Sequence, residues 1–147
     1  MQTGETKAID VLNSFLRGEI SAVETYRQAI DKVEKPTVRT QLEDCLRSHE
    51  LRVDVIKRRV QALGGEPEED SGIWGVFAKI IQGGADVLGE RAAIAALEEG
   101  EDHGRDDYRR DVAKLDGESR RIIESQVLPE QERTHRTLST LKHAQHH

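Results

Sequence analysis

The sequence predicts an all-α fold, a four-helix bundle made of two antiparallel hairpins joined by one long crossover. Three observations predict it. The first is composition: 34% charged and 35% hydrophobic residues, 3% aromatics and three prolines, a profile that favours helices over sheets. The second is apolar residues recurring every three to four positions in four segments. The third is a phrase stated twice, Gly18-Glu19 with Tyr26 and Gly100-Glu101 with Tyr108, once at the head of each expected hairpin. We read residues 1–147 as a single domain, with helices at about 5–33, 37–63, 85–115 and 119–144 and a crossover at 64–84.

The first helix carries Ile9, Leu12, Phe15, Ala22, Val23, Tyr26 and Ile30 on one stripe. Pro36 suits the opening of the second helix, since it disfavours helix at the residue before it and has no N–H to lose. That helix runs through Leu42, Cys45, Leu46, His49, Val53, Ile56 and Val60, and Gly64-Gly65 ends it. In the crossover, IWGVFAKII with Trp74 and Phe77 predicts a short helix over one end of the core. The third pattern ends at Asp116-Gly117. Within the fourth, Pro129 predicts a kink or restart near Leu128, because proline removes a hydrogen bond and clashes with the preceding turn.

Short turns join helices 1–2 and 3–4, while about 20 residues join the pairs. One such long crossover is the connectivity of ferritin-like bundles, and the repeated phrase makes the halves look like an internal duplication.

The formal charge of −6 argues against a nucleic-acid surface. Basic clusters at 57–59 and 109–110 are flanked by acids and read as solvated helix faces. Cys45 stands alone, so no intramolecular disulfide can form, and it reads as a small core residue. With no secretory leader and no apolar stretch of membrane-spanning length, the expectation is a cytoplasmic protein without membrane contact.

Glu and Tyr seven positions apart lie on one helical face, and in both copies of the phrase that face is apolar. A carboxylate there is costly unless it is paired or binds a cation. A dinuclear carboxylate site in a bundle takes one Glu from each of two helices and a Glu-x-x-His pair from each of the others. Glu19, Glu101 and the pair Glu132/His135 fit those places. His49 fits the second helix, although Leu46 stands where its partner glutamate belongs. Tyr26 and Tyr108 read as core aromatics whose hydroxyls bond inward to the carboxylates. His103 reads as solvent-facing, and His143, His146 and His147 as a frayed tail.

The stretch LNSFLRGEISAVETY resembles the ferritin-like superfamily, with similarity to rubrerythrin and bacterioferritin. The wording LGGEPEEDSGIWG…GGADVLGERAAIAALEEGED is similar to the bundle proteins grouped as domain of unknown function 2383. The resemblance covers nearly the whole chain. It implies a ferritin-like up-down-down-up four-helix bundle with a long crossover carrying a short helix. It also implies ligand-like positions for Glu19, His49, Glu101, Glu132 and His135, with Glu98 compensating for Leu46 as an additional helix-3 glutamate does in rubrerythrin.

Two functions follow as expectations. One is a di-metal protein, with iron or manganese, handling oxygen, peroxide or ferrous iron in oxidative stress. Lacking a Cys-x-x-Cys pair, it would need an external electron donor for any di-iron oxidase or peroxidase activity. The other is a metal-free structural or stress-associated bundle acting through protein contacts, in which Arg91 or Arg105 turns inward to the glutamates. A homodimer is expected in either case.

Overall fold

The computed structural model describes residues 4–70 and 89–144. Helix α1 spans Gly4–Ile30 and α2 spans Pro36–Ala62, each about 40 Å long at 1.5 Å per residue. Between them the chain tightens through bonds from Lys32 N–H to Ala29 and from Val33 N–H to Ile30. Pro36 then takes the first turn of α2.

The end of α2 is a complete Schellman motif. Gly64 adopts φ 81°, its N–H bonds Gln61 O at 3.0 Å, and Gly65 N–H bonds Val60 O at 2.9 Å. The two glycines serve different purposes. Gly64 supplies the left-handed conformation, whereas a Cβ on Gly65 would stand 2.8 Å from Cγ2 of Ile9. The chain then runs along α1, where Asn13 donates to Glu66 O and accepts from Glu68 N–H, and Arg17 pairs with Glu68. The short helix expected over Trp74 and Phe77 lies outside the described residues.

Helix α3 spans Glu90–Asp111 and ends in a 3₁₀ turn, Val112–Lys114. Asp116 caps the fourth rod by accepting from Ser119 N–H at 3.2 Å. That rod consists of α4 (Gly117–Ile122), a π-helical turn (Ile123–Val127) and α5 (Leu128–Ala144). The interruption expected at Pro129 therefore takes the form of a widened turn just before the proline.

Cross-helix partners give the directions. Glu19 meets Tyr108 while Tyr26 meets Glu101, so α1 and α3 are antiparallel. Glu101 meets Thr134 while Glu98 meets Lys142, so α3 and α5 are antiparallel as well. Helix α2 is antiparallel to α1, folding back through the turn at 31–35, and thus parallel to α3. The result is an up-down-down-up four-helix bundle with a long crossover, the connectivity of ferritin-like bundles. All described secondary structure is helical.

Two apolar clusters fill the bundle. One holds Tyr26, Leu42, Cys45, Ile94, Leu97 and Leu138. The other holds Leu12, Phe15, Ile56, Tyr108, Ile123 and Val127. Burial pushes the Cys45 thiol up to about 12, in keeping with an inert core residue. A buried polar layer crosses the bundle between the clusters.

Candidate functional site

That polar layer is built from three helices and closed by the fourth rod. Glu19 on α1 and Glu101 on α3 are both 4% exposed. His49 on α2 stands between them, with Nδ1 2.5 Å from Glu19 Oε1 and Nε2 2.7 Å from Glu101 Oε2. Carboxylates only accept, so both ring nitrogens must donate and the ring is an imidazolium. Three positions further along the same stripe, Arg52 is 1% exposed. Its guanidinium reaches Glu19 Oε2 at 3.4 Å, Ser48 Oγ at 3.0 Å, Glu130 O at 3.0 Å and Thr134 Oγ1 at 2.5 Å. Thr134 in turn donates to Glu101 Oε1 at 2.8 Å. Arg52 thus bonds one glutamate directly and the other through a hydroxyl.

The repeated phrase explains the two tyrosines. Tyr108 donates to Glu19 Oε2 at 2.5 Å, and Tyr26 donates to Glu101 Oε2 at 2.6 Å. Each copy's tyrosine serves the other copy's glutamate, as two antiparallel helices bearing the same Glu–Tyr spacing require. Phe15 packs on Tyr108 at 4.5 Å between ring centroids, and His49 lies 5.0 Å from Tyr26.

Burial alone would raise the Glu19 carboxyl. The Arg52 and His49 charges and the bonds from His49 and Tyr108 outweigh it, holding the group at about 2. Glu101 is lowered in the same way, burial being overcome chiefly by His49 and then by Arg52 and Tyr26. Burial and Arg52 oppose the charge on His49, yet the two carboxylates raise it above its ordinary 6.5. Burial and the adjacent glutamates lift both phenols well above 10. Two anions and two cations sum to zero inside the core.

A cleft of about 50 Å³ between α1 and α3 leads to this layer. Gly18, Ser21, Gly100 and Gly104 line it above Glu19 and Glu101.

Of the six residues expected as ligands, only Glu19, His49 and Glu101 come together here. Glu132 is exposed, so the expectation that Glu132 and His135 both face inward is corrected. Gln131, Thr134 and Leu138, three and four positions apart, hold the inward face of α5, and Glu132 and His135, each one position past a core residue, are turned about 100° from it. His135 falls on the flank, with Nε2 2.6 Å from Asp102 Oδ1. Glu98 also stands apart from the centre, paired with Lys142 at 3.2 Å. Leu46 packs against the apolar cluster.

These residues do not fit a dinuclear metal centre. One carboxylate position is a leucine, a second ligand pair points elsewhere, and a guanidinium occupies the middle. The inward arginine is also not one of those expected. Arg91 is exposed, and Arg105 lies at the edge with Asp102 and Asp106. Arg52 was the omission, and its signal was plain: an arginine on the stripe of Leu42, Cys45, His49 and Ile56.

Fold and site together define a helical bundle crossed by a charge-balanced Glu–His–Arg–Tyr layer. Residues 7–114 match the family described as Domain of unknown function (DUF2383), and the chain belongs to that family. The matched stretch includes Glu19, His49, Arg52, Glu101 and both tyrosines of the layer. Searches of curated proteins and of solved structures gave no match.

Proposed function

We propose that this protein is a non-enzymatic helical scaffold that acts through protein–protein contacts, its central carboxylates neutralised by its own side chains instead of by metal ions. One observation carries the reading: His49 gives both ring N–H groups to the two glutamates, while Arg52 lies buried beside them. For a metal ion to enter, the imidazole would have to lose both bonds and Arg52 would have to leave its oxygen partners. Breaking a buried pair of this kind costs about 3–5 kcal/mol, before any ligand is gained. A cytoplasmic homodimer belongs to the same proposal. No described helix is long and apolar enough to cross a membrane, and light scattering on the purified chain tests the dimer.

A second reading keeps the iron or manganese di-metal protein handling oxygen, peroxide or ferrous iron. The convergence of Glu19, His49 and Glu101 and the cleft that reaches the two glutamates favour it. Elemental analysis after anaerobic loading with ferrous iron separates the two. The scaffold reading expects an iron content that is the same in wild type and in Glu101→Gln. About two irons per chain, lost in that variant, would overturn it.

A further inference from the structure

We propose that Glu98, Asp102 and His135 form a mononuclear site for a first-row divalent cation at the edge between α3 and α5, separate from the central layer. Glu98 and Asp102 are one helical turn apart on α3, and His135 faces them from α5. One ligand atom from each of the three lies within 4.8 Å of the other two. Around an ion bound at about 2.0–2.2 Å, donor atoms stand roughly 3–4 Å apart, so small side-chain rotations close the set. The side chains are 14%, 39% and 18% exposed, which leaves the remaining coordination positions open to water. Two carboxylate oxygens and one imidazole nitrogen suit manganese, ferrous iron, cobalt or zinc.

A second feature points to a cation. Nε2 of His135 faces Asp102 Oδ1 at 2.6 Å and the Arg105 guanidinium Nη1 at 3.2 Å. The carboxylate requires a proton on that nitrogen, and the guanidinium requires a lone pair there, so one nitrogen cannot serve both. A cation bound jointly by Nε2 and Asp102 satisfies the imidazole and the carboxylate together and releases Arg105 to solvent. The resident positive groups are weak competitors. Lys142 meets Glu98 at 3.2 Å and Arg105 meets Asp102 at 3.7 Å, and partly exposed pairs of this kind contribute little. The site includes His135 and Glu98 but neither Glu19 nor Glu101, so it holds or fails independently of the reading of the centre.

Cobalt(II) titration of the full chain, followed by its visible absorption and by elemental analysis, tests the site. The expected result is one ion per chain. Binding should be lost in His135→Ala, be at least tenfold weaker in Asp102→Asn, and be unchanged in Glu101→Gln. Lys142→Gln and Arg105→Gln, which remove the competing charges, should tighten it several-fold. A variant with His143, His146 and His147 all changed to Gln should still bind. Circular dichroism of each variant confirms that the fold is retained, and Asp102, the most exposed of the three, serves if His135→Ala does not fold. No binding, binding indifferent to both His135→Ala and Asp102→Asn, or binding lost with Glu101→Gln or with the terminal histidines would overturn the proposal.

Discussion

Take away the Arg52 guanidinium and Glu19 keeps His49 and Tyr108 but loses a cation buried at 3.4 Å. Arg52→Met should therefore cost about 3–5 kcal/mol, or roughly 10 °C in melting temperature for a domain of this size. Glu19→Gln in the same chain should recover part of the loss, because the orphaned charge goes with it. Thermal melts of the single and double variants check this, and a silent Arg52→Met would remove the guanidinium from the account of the core. The reciprocal bonds make a second expectation at this scale. Tyr26→Phe and Tyr108→Phe each leave one buried carboxylate oxygen short of a donor, costing about 1–3 kcal/mol. By the pseudo-symmetry of the phrase the two losses should be similar, and chemical denaturation measures both. Glu19, Glu101 and the tyrosines were legible because a polar residue on an apolar stripe demands a partner. Arg52 obeys the same rule, lying on the apolar stripe of α2 at 1% exposure, whereas Arg91 and Arg105 on α3 do not. The partners themselves could not be read from the sequence, since His49 to Glu101 and Arg52 to Thr134 are contacts between helices distant in the chain.

Local chemistry set the ends of elements, and there the sequence was most readable. Pro36 opens α2, Gly64-Gly65 closes it, and Asp116 caps the fourth rod. Gly64→Ala should cost about 1–2 kcal/mol, the penalty for an L-residue in the left-handed region, with the fold unchanged by circular dichroism. A null effect would mean that the C-cap has another way to close. The inward face of α5 was not readable. Pro129 announces an interruption, but whether the helix kinks, restarts or widens decides which residues turn inward, and packing against α2 and α3 makes that choice. Thr134 went to the core and Glu132 to solvent. A motif spaced correctly along the chain thus lies one position off the inward face.

At the scale of the molecule, the charged layer ties two apolar clusters into one core, so its titration should govern the stability of the whole bundle. Glu19 is held at about 2 against an ordinary 4.5, and Glu101 is lowered too. Groups depressed on folding contribute fully above 4.5, and their contribution drains away as the pH falls towards 2. His49 has the opposite sign. Its value is raised above 6.5, so its contribution is complete below 6.5 and is lost as the pH climbs through the raised value. Together they predict a melting temperature that peaks between about 4.5 and 6.5 and falls on both sides, with the phenols adding to the alkaline fall only above 10. His49→Gln should lie below wild type at pH 6 and flatten the alkaline limb, because its amide cannot change charge, while keeping the acid limb that the glutamates own. Melting curves between pH 3 and 10 on both proteins measure this. A wild-type curve that stays level from pH 6.5 to 10 would mean that His49 does not carry the proton that binds Glu19 to Glu101 across the bundle.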